Sequence, residues 1–151
     1  MKRLLIVYHS KTGNTAALAQ ACLSGASDPA LDPVEIRFKT AREADAEDLL
    51  WADGLALGTP ENFGYMSGAL KDFFDRTFYE VEGMLSPLPY VLFIAAGNDG
   101  RGAVSAIERI ANGYPLVQVQ PPVIQREGED RADACRELGA TLAAGLTLGM
   151  F

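Results

Sequence analysis

His9-Ser10-Lys11-Thr12-Gly13-Asn14-Thr15 separates an unbroken apolar run, Leu4-Leu5-Ile6-Val7, from an alanine-rich helical run that extends from Thr15 to Cys22. A continuously apolar run of this length reads as a strand buried on both faces, as in a parallel sheet. A strand that ends in hydroxyls and a glycine and opens directly into a helix is built to hold an anion. The first N–H groups of a helix lack intrahelical partners and carry partial positive charge. Ser10, Thr12, Asn14 and Thr15 offer neutral donors, Gly13 lets the backbone approach closely, and Lys11 is the only cation. The run lacks the G-x-x-x-x-G-K-[ST] pattern of a triphosphate loop and the G-x-G-x-x-G pattern of a dinucleotide turn. An uncharged, hydroxyl-rich cradle suits one terminal phosphate monoester held without a metal.

Beyond this turn, strands and helices alternate. Val34 to Phe38 alternates apolar and polar residues, as an edge strand does, and Thr40-Ala41-Arg42-Glu43 has the capping-box pattern of a helix start. Gly54 to Thr59 reads as a third strand, followed by a loop from Pro60 to Tyr65. Met66, Leu70, Phe73, Phe74, Thr77 and Phe78 then recur at helical spacing. Tyr90 to Ala96 is a fourth strand, ending in Gly97-Asn98-Asp99-Gly100-Arg101-Gly102. A helix over 103–112 leads to a fifth strand, Leu116 to Gln120, broken by Pro121-Pro122 and resumed by Val123-Ile124. A last helix runs over 131–146. The alternation predicts an α/β chain, residues 1–151 as one domain, with a doubly wound five-stranded parallel sheet and helices on both faces. Ligands of such sheets bind beyond the carboxyl ends of the strands. The loops after strands one, three and four all fall there.

The bulk properties exclude several function classes. With 20 acidic against 13 basic residues and a net charge of -7, the chain lacks the basic balance that a nucleic-acid backbone requires. No apolar run is long enough to span a bilayer, so no membrane insertion is expected, and a cytoplasmic location fits. Cys22 and Cys135 read as small buried hydrophobes, and a single histidine without clustered cysteines argues against a metal site. His9 reads as a residue at the strand exit, and Asp75 and Arg76 as helix-surface partners.

The motif residues carry a family resemblance. Ser10-x-Thr12-Gly13-x-Thr15 resembles the phosphate loop of the flavodoxin-like FMN-binding family, whose sheet has the order 2-1-3-4-5. Gly58-Thr59-Pro60, Phe63-Gly64-x-Met66-Ser67-Gly68 and Lys71-x-Phe73-x-Asp75-Arg76-Thr77 are similar to NAD(P)H:quinone reductases of the tryptophan-repressor-binding-protein type. By that resemblance FMN is the cofactor. Ser10, Lys11, Thr12, Gly13, Asn14 and Thr15 would hold its phosphate. Thr59, Pro60, Glu61, Asn62, Phe63 and Gly64 would contact the isoalloxazine ring, and Ala96, Gly97, Asn98, Asp99 and Gly100 would line its pyrimidine side.

The flavin carries the redox chemistry, so no catalytic acid or base is assigned. A Glu61 carboxylate beside the ring is expected to lower its potential. Two departures from the reductases stand out: Glu61-Asn62 replaces their Thr-Arg, and the long insertion they carry after the fourth strand is absent; the third loop, Gly97 to Gly102, holds no aromatic, which departs from the flavodoxins instead. The preferred function is flavin-mediated hydride transfer from NAD(P)H to a quinone or similar small acceptor. The alternatives are a one-electron carrier serving a redox partner protein and a flavin-free binding or regulatory domain. Homo-oligomerisation is left open.

Overall fold

The computed structural model describes Met1–Phe151. Twelve elements follow in order: β1 (Arg3–Tyr8), α1 (Asn14–Ala26), β2 (Glu35–Thr40), α2 (Ala46–Trp51), β3 (Gly54–Asn62), β4 (Tyr65–Met66), α3 (Gly68–Val81), β5 (Leu88–Ala96), α4 (Arg101–Gly113), β6 (Leu116–Gln118), β7 (Val123–Arg126) and α5 (Ala132–Thr147). The parallel sheet runs β2-β1-β3-β5-β6, and β7 also pairs with β5. β6 lies beside the first half of β5 and β7 beside the second, so together they form one interrupted fifth strand. The break falls at Val119–Pro122, where Pro121 and Pro122 have no N–H to donate to a ladder. In strand positions this is the expected 2-1-3-4-5 order.

The apolar runs are explained by burial on two faces. Successive residues of β1 alternate between two cores: Leu5 and Val7 join α2, α3 and α4, while Leu4 and Ile6 join α1 and α5. β5 repeats this, with Tyr90, Leu92 and Ile94 on the first side and Val91, Phe93 and Ala95 on the second. Each strand residue is therefore buried whichever way it points, which erases the polar alternation of a half-covered sheet. Cys22 and Cys135 are buried free thiols in the α1–α5 core, and the Cys135 thiol donates to the Leu18 carbonyl at 3.2 Å. There the two helices meet backbone to backbone. A Cβ on Gly139 would stand 2.0 Å from the Cys22 carbonyl oxygen, and one on Gly25 would stand 1.8 Å from that of Arg136.

Three local expectations change. The Thr40–Glu43 pairing forms, with Glu43 accepting from the Thr40 N–H at 3.0 Å and hydroxyl at 2.8 Å, but it closes a turn rather than starting a helix. The helix starts later, at a reciprocal capping box of Asp45 and Asp48. The segment expected as an irregular loop over Pro60–Tyr65 is instead ordered: β3 runs on to Asn62 and turns back into β4, pairing Glu61 with Met66 and Asn62 with Tyr65. Met66 therefore belongs to that hairpin, and α3 begins at Gly68 behind the Ser67 cap, whose hydroxyl accepts from the Leu70 N–H at 3.2 Å. β5 also begins earlier than its apolar core, at Leu88, and takes in Pro89.

Candidate functional site

The carboxyl ends of β1, β3, β5 and β7 surround an open cleft of about 400 Å³. On one side is the β1–α1 turn, where Lys11, Thr12, Asn14 and Thr15 line the cleft. Gly13 is the N-cap of α1, with φ 101°, a left-handed conformation that suits glycine. Its N–H donates to the Ser10 hydroxyl at 3.2 Å. No side chain caps α1, and the N–H groups of Asn14, Thr15 and Ala16 have no protein acceptor; the first helical bond at this end runs from Ala17 to the Gly13 carbonyl. A Cβ built on Gly13 would meet no atom within 4 Å. The turn therefore offers free donors, a helix dipole and backbone open to close approach, which fits a phosphate monoester.

The opposite side is the β3–β4 hairpin. Pro60, Glu61 and Asn62 line the cleft. Phe63 and Gly64 form the two-residue turn, with φ 52° and 69°, and both are exposed at its tip outside the lining. Positive φ at both central positions is the pattern of a type I′ turn, whose twist matches that of a hairpin. Thr59 points into the protein and braces the hairpin from within. Its buried hydroxyl donates to the Pro60 carbonyl at 2.8 Å and accepts from the Ser67 N–H at 2.9 Å. Glu61 departs from expectation most. Its carboxylate turns onto the start of α4, accepting from Gly100 N–H at 3.1 Å and Ala103 N–H at 3.2 Å. It is not a free anion facing the cleft.

The third wall is the end of β5. Ala95, Ala96 and Gly97 line the cleft, whereas Asn98, Asp99 and Gly100 lie behind it. Gly100 is the N-cap of α4, and a Cβ on it would press on Ile124 at 2.5 Å. Asp99 sits between two guanidinium groups, 3.8 Å from Arg101 and 3.7 Å from Arg126.

A fourth wall is one that the sequence motifs do not announce. Gln125, Arg126, Glu127, Gly128 and Glu129, at the end of β7, also line the cleft. In this turn the Arg126 N–H donates to the Glu129 carboxylate at 2.7 Å, the Glu129 N–H returns to the Arg126 carbonyl at 3.0 Å, and the Arg131 N–H donates to the side-chain oxygen of Gln125 at 2.9 Å. Its only sequence signal is Gly128 in an acidic turn at the exit of a strand, which the Pro121-Pro122 break obscures.

His9 leaves β1 through its N–H, bonded to the Gly58 carbonyl at 3.1 Å. Partial burial, and then the Arg42 charge, hold its imidazole below the usual histidine value, so it is neutral at pH 7. Arg76 bonds the Ala41 and Ala44 carbonyls at 2.8 and 3.1 Å, tying α3 to the β2–α2 turn, while Asp75 pairs with Lys71 at 2.7 Å; both are structural. Trp51 lies under the Arg37 guanidinium at 4.2 Å, away from the cleft. No helix is long and apolar enough to cross a membrane.

Known proteins are similar to this chain in sequence or in fold. The family described as NADPH-dependent FMN reductase matches residues 32–123. A flavodoxin of Aquifex aeolicus is 32% identical, over 95% of this chain and 86% of that protein. An NAD(P)H dehydrogenase (quinone) of Acidithiobacillus ferrooxidans is 33% identical over 51% of this chain, which is 48% of that protein. Among solved structures, a flavodoxin, WrbA-like protein from Agrobacterium tumefaciens superposes with a TM-score of 0.76 at 17% identity, covering 98% of this chain and 99% of that one.

Proposed function

Because the chain belongs to the flavodoxin-like FMN-binding family that includes the NADPH-dependent FMN reductases, we propose that it is an NAD(P)H-dependent oxidoreductase acting on quinone-like acceptors. The observation that carries the cofactor assignment is the uncapped start of α1. The N–H groups of Asn14, Thr15 and Ala16 have no acceptor within the protein, and they open on a cleft lined by hydroxyls. Such a site takes the FMN phosphate, with Ser10, Thr12 and Thr15 adding neutral donors and Lys11 one positive charge. The β3–β4 hairpin and Ala96–Gly97 would hold the ring end.

FMN held by these residues would supply hydride- and electron-transfer chemistry. The protein binds, orients and leaves access. Gly97-Asn98-Asp99-Gly100 places no aromatic side chain over the cleft, so that side stays open to a second flat molecule, a nicotinamide or a quinone.

The test is an anaerobic titration of the FMN-loaded protein with NADH and NADPH, without any partner. Bleaching of the flavin by about one equivalent, as two-electron reduction requires, is the expected result. The second reading, a one-electron carrier, is supported by the flavodoxin relative that matches nearly the whole chain and by the net charge of -7. A flavin untouched by either nucleotide, yet reduced by a chemical donor in two separate one-electron steps, would establish the carrier instead.

A further inference from the structure

Two helices, α1 and α4, start just beyond the carboxyl ends of β1 and β5, and the chain treats their N-termini oppositely. The start of α1 has no protein acceptor. The start of α4 is filled by Glu61, whose two carboxylate oxygens accept from the Gly100 and Ala103 N–H groups at 3.1 and 3.2 Å. A carboxylate in that place is stabilised by the helix dipole and satisfies two otherwise orphan donors.

The same contact joins two walls of the site. Glu61 lies on β3 at the base of the hairpin, and Gly100 closes the loop that follows β5. Beyond it the turn leans on α4 directly: a Cβ on Gly102 would stand 2.1 Å from the Gly64 carbonyl oxygen. Phe63, at the tip, has φ 52° with its side chain fully exposed. A bulky residue in the left-handed region persists only where its surroundings over-determine the backbone. Here the strand pairing behind it, the Thr59 brace and the Glu61 contact do so.

We infer that Glu61 is a positioning residue that sets the separation between the 61–66 hairpin and the 97–100 loop, and thereby the width of the slot for the flavin ring. It acts through α4 rather than by touching the ring. The inference rests on the FMN reading of the cleft, and the experiment keeps the two separable by using two ligands, FMN and riboflavin, which differ only in the phosphate.

Affinities for both are measured on the full chain and on Glu61→Ala, Glu61→Gln, Gly102→Ala and Gly13→Val, after circular dichroism has confirmed folding. Glu61→Ala loses both hydrogen bonds and is expected to weaken FMN and riboflavin alike, by about tenfold. Glu61→Gln keeps one acceptor oxygen and is expected to restore most of the loss, to within about threefold of the parent. Gly102→Ala pushes the turn off α4 without touching any charge and should lower both affinities in the same ratio. Gly13→Val should weaken FMN alone. Should Glu61→Ala fail to fold, Glu61→Gln and Gly102→Ala carry the decision. A folded Glu61→Ala chain with parental affinity for both flavins, or a loss confined to FMN, would overturn the positioning role. A parent chain that binds neither flavin would instead overturn the FMN reading itself.

Discussion

Replacing Gly13 by valine separates two costs that the structure keeps distinct. Gly13 sits at φ 101° and ψ -14° as the N-cap of α1, and a Cβ there meets no protein atom within 4 Å. The cofactor-free variant therefore suffers no clash, only the backbone penalty of an L residue in left-handed space, about 1–2 kcal/mol and toward the upper end for a β-branched side chain. Adding FMN at 100 times its dissociation constant should stabilise the parent by about 2.7 kcal/mol, because ligand that binds only the folded state shifts the equilibrium by mass action. The variant places methyl groups where the phosphate must approach the backbone, so that increment should vanish. The gap between parent and variant should widen from about 1–2 kcal/mol without FMN to about 4 kcal/mol with it. Urea unfolding with and without FMN, followed by circular dichroism, reads both values. Gly13→Asn is the control for strain, since asparagine tolerates left-handed backbone and should recover most of the cofactor-free stability. A valine variant that gains the full FMN increment would show that the phosphate lies elsewhere, and one as stable as the parent without FMN would show that this backbone is not left-handed.

Two further outcomes follow from the supports around the site. Asp48 is 1% exposed and accepts from Arg37 at 2.8 Å, Lys39 at 2.9 Å and the Asp45 N–H at 3.0 Å. Burial alone would raise its carboxyl, but the hydrogen bonds from Lys39, the Asp45 backbone and Arg37 outweigh it and hold the group below the usual aspartate range. Its contribution is thus complete above the unfolded aspartate value of about 3.9 and is lost as the pH falls through the lower folded value. Asp48→Asn should cost about 1–3 kcal/mol at neutral pH, moderated because Arg37 and Lys39 are about a third exposed and can turn to water; the difference from the parent should shrink below pH 4. A denaturation series over pH that shows a constant difference would contradict this account. Thr59→Val keeps the shape but removes the acceptor of the buried Ser67 N–H, so thermal unfolding should show a loss of about 1–3 kcal/mol, and no loss would mean the brace is idle.

Much of this architecture is written in local patterns. The run Leu4–Val7 and the stretch Tyr90–Ala96 read as doubly buried strands because both faces of the sheet are covered, and the two cores of the structure take their residues alternately. The β1–α1 turn is equally legible, since hydroxyls, a glycine and a helix start are adjacent in sequence. The start of α2 is not, because Thr40–Glu43 and Asp45–Asp48 both fit a capping box. Both stretches place residues in the core, Ala41 and Ala44 at the first and Ala46 and Leu49 at the second, so burial does not separate them, and only the second box is reciprocal in the folded chain.

What composition, periodicity and adjacent motifs determined was the fold class, the strand-end position of the glycine-bearing loops and a helix start, at α1, rich in donors. Those follow from backbone geometry within a few residues and from which side chains must leave water. The tertiary structure alone decided the rest of the site. The close packing of α1 on α5 and the pairing of β7 with β5 bring Arg126–Glu129 to the same cleft as a turn more than a hundred residues earlier. Likewise, only the folded chain puts the Glu61 carboxylate on the start of α4, across 39 residues to Gly100. A carboxylate takes whichever unpaired N–H groups lie within reach, and that reach is a property of the packed helices and sheet rather than of its neighbours in the chain.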